Sequence, residues 1–378
     1  MVQIYGPNAH LIGRTASELS SPFLMIAHAD LEANIAAMAK HCARVGIALR
    51  PHVKTHKSPD IARLQLQAGA CGLCVAKLGE AEAMADAGLG GLLITSPIIG
   101  APMIARLMML LARAPETIAV VDCLAAAQSL SGASSARGQV LNILIDVDIG
   151  MARTGVSPKG ALELAQGVSR LPGLCLRGIQ AYAGHLMHIK DPDDRRTQSA
   201  GALKGVISVR EAFARCGLPA DIISGGGTGT FDIDPELNVF TELQAGSYVF
   251  MDRQYLDVRL ANARAWPFAP ALFVMTRIIS ANHFTHATVD AGYKAFATDG
   301  GEPRIVDGAP AGAKYFFFGD EQGGISLAPA AGVPPLGGLV KCLTPHCDPT
   351  VNLHDVYHVF DGDRLGALWP ITARGRVS

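Results

Sequence analysis

Gly72-Leu-Cys-Val-Ala76, Gly91-Leu-Leu-Ile-Thr95 and Thr117-Ile-Ala-Val-Val121 are three short runs that are almost wholly apolar. Helix-patterned segments, Gly79–Ala87 and Pro102–Ala114, separate them. Apolar runs without alternation read as strands covered on both faces. Downstream the pattern continues. Strands are expected at Val140–Val147, Leu174–Gln180, Ile222–Ser224 and Thr241–Leu243, with helices at Leu124–Ser131, Pro158–Arg170 and Asp193–Cys216. Upstream, Phe23–Ala27 and Val45–Leu49 read as strands. Asp30 is placed to cap a helix over Leu31–Arg44, and Ser58 to cap one beginning at Pro59. Such alternation means parallel strands with crossover helices. A unit count near eight indicates an α/β fold, a closed (β/α)8 barrel of TIM type.

From about Ala269 the texture changes. Leu272–Ile278, Ala287–Asp290, Tyr315–Phe318 and Gly338–Cys342 are β-prone runs separated by Gly, Pro and Asp. The expected division is a barrel over 21–260 and an all-β domain over 261–378, joined by residues 1–20 as an arm or added strand.

Hydrophobic residues make up 49% of the 378 and charged residues 17%, a balance that implies a large core or a subunit interface. The net charge of −1 gives no electrostatic footprint for nucleic acid. No apolar run is long enough for a membrane span, and no basic-then-apolar signal segment opens the chain. A cytoplasmic protein is expected. Its eight cysteines are scattered, and Cys71 and Cys74 lack a second pair to complete a zinc site.

In a barrel, the residues just after strands share the rim where sites are built. The first such segment is Arg50-Pro-His-Val-Lys54-Thr-His-Lys57. A lysine among other cations is expected to have a depressed pKa, and a neutral amine attacks carbonyls, so Lys54 or Lys57 is a candidate for Schiff-base chemistry. A plain basic loop fits the same residues. Arg153 offers a planar fork for a phenolate or carboxylate. Tyr182-Ala-Gly-His185-Leu-Met-His188 places two imidazoles on one loop, suited to a general base. Ser224-Gly-Gly226-Gly227-Thr228-Gly-Thr230 can cradle a phosphate with backbone N–H groups, or can simply be a tight loop. Gly246-Ser247-Tyr248 follows the next strand as a second set of donors. In an extended backbone His346 and Asp348 point the same way and suit one divalent ion, Mn²⁺ or Mg²⁺.

Taken together, the Arg50–Lys57 segment, Glu242-Leu-Gln-Ala-Gly-Ser-Tyr-Val-Phe-Met-Asp252, the glycine run and Trp369-Pro-Ile-Thr-Ala-Arg-Gly375 resemble the D-threonine aldolase and D-3-hydroxyaspartate aldolase branch of the fold-type III pyridoxal-phosphate enzymes. The resemblance implies an alanine-racemase-like barrel, a C-terminal β domain and a homodimer. It makes Lys54 the lysine that holds pyridoxal 5'-phosphate, sets Arg153 near the cofactor's phenolic oxygen and Tyr182 in the cofactor site, and makes His188 the catalytic histidine. It makes His346 and Asp348 the metal pair. Related dehydratases carry His-x-Cys for zinc, so Asp348 favours the aldolase side. Ala76 and Ser96-Pro97 depart from the usual pattern, which leaves the substrate side chain open. The implied reaction is cleavage of a D-3-hydroxy amino acid, such as D-threonine, to glycine and an aldehyde. The alternatives are a D-3-hydroxyaspartate aldolase yielding glycine and glyoxylate, a dehydratase, and a non-catalytic cofactor-homeostasis protein. The last usually consists of the barrel alone.

Overall fold

The computed structural model describes residues 6–328 and 332–378. Eight parallel strands make one sheet, in the order Ala48–Leu49, Glu242–Leu243, Ile222–Gly225, Leu174–Ala181, Leu141–Asp146, Ile118–Val121, Leu92–Ile94 and Leu73–Val75. The two end strands meet through a parallel bridge between His52 and Cys74. Cys71 N donates to Leu49 O at 2.8 Å and Cys74 N to Pro51 O at 2.9 Å, so the sheet closes. Inside it Cys74, Leu93, Ile118, Val120 and Leu144 pack together as a separate buried cluster. Their alternate neighbours face the surrounding helices, which explains why the runs are apolar at every position. The expected α/β barrel is the fold observed.

Local signals account for several element ends. Ser58 Oγ accepts the Asp60 N–H at 3.3 Å, with Pro59 opening the helix Pro59–Gln67. The preceding helix departs from expectation. It runs His28–Val45 with Ala27 at its cap, and Asp30 lies inside the first turn, where its charge complements the helix dipole.

A second sheet has nine strands and is mostly antiparallel. The strand Phe23–Ala27, expected at the head of the barrel segment, lies in the middle of this sheet. It pairs antiparallel with Leu272–Ser280 and parallel with Val356–Asp361. Its short apolar run carries no period that distinguishes one sheet from the other. Within the expected arm, Gly6–Leu11 and Ala16–Glu18 are short 3-10 turns, and Leu11, Ile12 and Leu19 pack on Phe23, Phe360 and Leu365. Residues 1–5 of that arm lie outside the described residues. No helix among the described residues is long and apolar enough to cross a membrane.

The second sheet reaches under the Lys54 segment. Tyr357 Oη donates to His56 O at 2.6 Å, and Ala373 N to Lys57 O at 3.1 Å. The short helix Cys347–Val351 packs against the turn Val53–Thr55. The second sheet therefore supports the barrel rim at the residues of interest.

Candidate active site

Three cations in the Arg50–Lys57 segment have three different fates. Arg50 is buried and makes a bidentate pair with Glu242, Nε–Oε1 at 2.8 Å and Nη2–Oε2 at 2.9 Å, while Nη1 donates to Gly91 O at 2.6 Å. It ties the starts of barrel strands together. Removing one member of such a pair leaves an uncompensated buried charge. Glu242→Ala is expected to lower the unfolding free energy by about 3–5 kcal/mol in a urea titration. Lys57, at φ 52°, turns its Nζ to within 2.5 Å of Glu80 Oε1, and both side chains are buried. Only Lys54 enters the cavity at the barrel rim. His56 does not; its ring is buried against Gln65 Oε1 at 3.2 Å. His52 caps the Val53–Thr55 turn by accepting the Lys54 N–H, and its ring lines the cavity.

The cavity has a volume of about 270 Å³ and is lined by Lys54, Arg153, Tyr182, His188, Ser247 and His346, among others. Lys54 Nζ lies 2.5 Å from Asp348 Oδ2. The expectation of a depressed lysine pKa is overturned. Desolvation does work to lower it, but the Asp348 carboxylate, followed by Tyr182, outweighs that and holds the ammonium above its ordinary value. Asp348 shows the reciprocal effect. Burial pushes its carboxyl up, and the Lys54 and His346 charges bring it well below the usual carboxylate range. Asp348 Oδ1 is buried and completes no hydrogen bond, although the Thr55 hydroxyl adjoins the carboxylate and helps to lower its pKa. His346 Nδ1 faces Asp299 Oδ2 at 2.6 Å. The two residues are not on an extended strand: His346 caps the helix Cys347–Val351, and Asp348 sits in its first turn.

His188 stands at the solvent side of the cavity with its ring against Tyr255, centroids 4.6 Å apart. Desolvation lowers its pKa first, and the neighbouring His346 and Lys54 charges lower it further. His185 is elsewhere, against Gly150 on the outer side of the loop. The Arg153 guanidinium lies 5.6 Å from the Tyr182 ring centroid. Asp148 Oδ1 builds the turn that presents it, accepting the N–H groups of Gly150, Met151 and Ala152 at 3.0 Å each.

The proposed phosphate donors fall into two groups. Gly246 and Ser247 line the cavity. Ser224 Oγ accepts from Gln244 Nε2 at 2.9 Å, and Thr228 Oγ1 accepts the Tyr248 N–H at 3.0 Å. The Tyr248 ring is fully buried, with Oη accepting from Gln65 at 3.0 Å, so only its backbone faces the glycine run. Gly227 lies behind Met187, whose sulfur packs on it, and Gly226 lies against Asp234 and Leu243. Two short turns, Thr228–Thr230 and Ser247–Val249, start at Gly227 and Gly246 without side-chain caps. Beneath them Asp234 accepts from Ser199 Oγ at 2.6 Å and Thr230 Oγ1 at 2.5 Å, and burial pushes its carboxyl up to about 6.

Gln180, Tyr255, Asp252 and Asp299 also belong to the site, and sequence spacing did not single them out. Gln180 at a strand end lines the cavity and donates to Asp146 Oδ1 at 2.9 Å. A polar residue closing an apolar strand was the available signal. Among the described residues no group of three or more His, Cys, Asp or Glu side chains is arranged to hold a metal ion. A cation at His346 and Asp348 would thus have two protein ligands. The unpartnered Asp348 Oδ1 and the ring nitrogen of His346 opposite Asp299 fit that role.

Residues 26–254 match the family described as alanine racemase, N-terminal domain, and residues 271–360 the putative serine dehydratase domain. The chain is 35% identical over 368 residues to a D-threonine aldolase of Arthrobacter sp, covering 96% of this chain and 95% of that one. It is 34% identical over 375 residues to a 3-hydroxy-D-aspartate aldolase of Paracoccus denitrificans, covering 97% and 95%. The crystal structure of D-threonine aldolase from Filomicrobium marinum aligns with a TM-score of 0.92 at 34% identity, covering 97% of this chain and 98% of that one.

Proposed function

Because this chain belongs to the D-threonine aldolase and 3-hydroxy-D-aspartate aldolase family of pyridoxal-phosphate-dependent carbon–carbon lyases, we propose that it cleaves D-3-hydroxy amino acids of the D-threonine type to glycine and an aldehyde. The observation that carries this reading is the meeting of Lys54, His188 and His346 on one cavity, with Asp348 paired to Lys54 beside it. Lys54 would hold the cofactor through its amine, with Tyr182 and Arg153, which also line the cavity, as the other side chains of the cofactor site. The phosphate is assigned to the two uncapped turns, with Ser224, Gly226, Gly227 and Thr228 on one and Gly246, Ser247 and the Tyr248 backbone on the other. Gly246 lets the second of these turns pack directly on the Lys54 segment, since a Cβ there would lie 2.8 Å from Thr55 Oγ1 and 3.0 Å from His52 O.

When bound, pyridoxal phosphate supplies an electron sink at the substrate α-carbon. His346 and Asp348 would hold a divalent cation, Mn²⁺ or Mg²⁺, which supplies Lewis-acid polarisation of the β-hydroxyl. His188 takes the hydroxyl proton as the Cα–Cβ bond breaks and the aldehyde leaves, and one proton is returned to the α-carbon to give glycine. A base must be neutral to take the hydroxyl proton, and the lowered pKa of His188 keeps it neutral into mildly acidic solution. The acidic limb of the kcat/KM profile should therefore lie below 6.5, the ordinary histidine value. In His188→Asn that limb should vanish, with kcat down by about 10²–10⁴-fold.

The protein acts as a homodimer in this reading, which light scattering checks. A second substrate reading has its own support: the exposed Arg153 guanidinium at the cavity also suits a side-chain carboxylate, as in D-3-hydroxyaspartate. The cofactor- and Mn²⁺-loaded enzyme is to be incubated with D-threonine and with D-3-hydroxyaspartate, measuring glycine, acetaldehyde and glyoxylate. Glycine with acetaldehyde supports the first reading and glyoxylate the second. Ammonia and a 2-oxo acid without glycine would overturn both in favour of dehydration.

A further inference from the structure

Two carboxylates outside the reaction just described converge on the His346–Asp348 segment from different sides. Asp299 Oδ2 lies 2.6 Å from His346 Nδ1. A histidine whose Nδ1–H is donated to a carboxylate has a fixed ring orientation and presents Nε2 on the opposite side. His346 lines the cavity, so the opposite side is the one a cation needs. The loop carrying Asp299 can approach this closely because the next residue is Gly300. A Cβ there would lie 3.0 Å from the Pro345 carbonyl carbon.

Asp252 acts on the backbone of the same segment. It is fully buried, with Oδ2 accepting the Cys347 N–H at 3.0 Å and Oδ1 the Tyr255 N–H at 3.1 Å. Two backbone bonds run along the same seam, Arg253 N to Thr344 O at 3.1 Å and Gln254 N to Pro345 O at 3.4 Å. Cys347 is the residue between His346 and Asp348, and its amide is held in place by a carboxylate rather than by a carbonyl. Tyr255, at the other end of the Asp252 contact, carries the ring on which His188 packs. One buried side chain thus references the metal pair and the base to each other.

We propose that Asp252 and Asp299 are positioning residues that preset His346 and Asp348 for a single divalent cation, Asp299 by orienting the imidazole and Asp252 by anchoring the intervening backbone. This inference rests on the metal assignment made above. Outer-shell partners of this kind typically change metal affinity by about 10–100-fold.

The test is Mn²⁺ binding to the cofactor-loaded protein, followed by the electron paramagnetic resonance signal of free Mn²⁺, with cofactor absorbance and melting temperature recorded alongside. Asp299→Ala should weaken Mn²⁺ by about 10–100-fold with both controls at wild-type values, since Asp299 is exposed. Asp299→Asn keeps an acceptor for Nδ1–H and should recover most of the affinity. Asp252→Asn should weaken Mn²⁺ as well, but the Asp299 pair decides the matter even if that buried variant folds poorly. Wild-type affinity in Asp299→Ala, while His346→Ala loses Mn²⁺, overturns the positioning role and leaves the metal assignment standing. Wild-type affinity in His346→Ala overturns both. Equal losses in Asp299→Asn and Asp299→Ala would show that charge rather than orientation matters, and would also overturn the proposal.

Discussion

Lys54→Ala is expected to lose the visible absorbance of lysine-bound pyridoxal phosphate and to have no measurable aldolase activity. The effect should be near total because no neighbouring cation can substitute. Arg50 is locked by Glu242 and Gly91 O, and Lys57 by Glu80, all within the barrel wall or the packing beside it. Lys54 is the member of the segment whose amine opens on the cavity. Its ammonium is held by Asp348 in the cofactor-free protein, so attachment of the cofactor requires that contact to loosen and the amine to give up a proton. The variant keeps the rest of the cavity, including Gly246, Ser247 and Arg153, and should still bind the cofactor non-covalently. Its spectrum would then be that of the free aldehyde, which separates loss of the covalent bond from loss of the site. An unchanged lysine-bound spectrum in Lys54→Ala would sink the assignment, and transfer of the effect to Lys57→Ala would relocate it.

The same residues show what a sequence can and cannot disclose. Runs such as Leu73–Val75 and Leu92–Ile94 disclose the barrel because a strand buried on both faces must be apolar throughout. Partner choice is not written locally. Phe23–Ala27 has the same texture, yet pairs with Leu272–Ser280 and Val356–Asp361 in the other sheet. In the hairpin of Val356–Asp361 and Arg364–Pro370 the local signal is the turn, marked by Asp361, Gly362 and Asp363, and the pairing with Phe23–Ala27 has none. Site chemistry divides similarly. Arg50, Lys54 and Lys57 are alike in spacing, and what separates them is Glu242, Asp348 and Glu80, supplied from 192, 294 and 23 residues away. The expected depression of the Lys54 pKa failed for that reason: two of the cations meant to depress it are neutralised, and a distant carboxylate raises it. The His346–Asp348 pair was legible as residue types. Its geometry was not, because a helix starts between them where period-two reasoning assumed an extended chain.

Asp348→Ala in the cofactor-loaded enzyme should lower kcat by about 10³-fold, corresponding to about 4 kcal/mol of lost transition-state stabilisation from a Lewis-acid cation. EDTA should do the same to the wild-type enzyme and leave its cofactor absorbance intact. These outcomes follow from Asp348 having two oxygens in different circumstances. Oδ2 is engaged with Lys54, while Oδ1 is buried and unpartnered. The Thr55 hydroxyl adjoins this carboxylate without completing a hydrogen bond, so the buried oxygen is costly unless something else satisfies it, and a divalent cation shared with His346 is a group of the right charge. His346→Ala should match Asp348→Ala in activity. It should differ in cofactor attachment, because only the Asp348 variant also removes the partner of Lys54. Asp348→Ala removes the largest influence that holds the Lys54 ammonium charged and leaves desolvation opposed only by the weaker pull of Tyr182 and Glu80, so the amine is more readily neutral and the cofactor should attach at a lower pH than in wild type. Equal pH profiles of cofactor attachment in the two variants would show that the Lys54–Asp348 contact does not control the amine. Undiminished turnover after EDTA would remove the cation from the reaction and leave Asp348 as the counter-charge of Lys54.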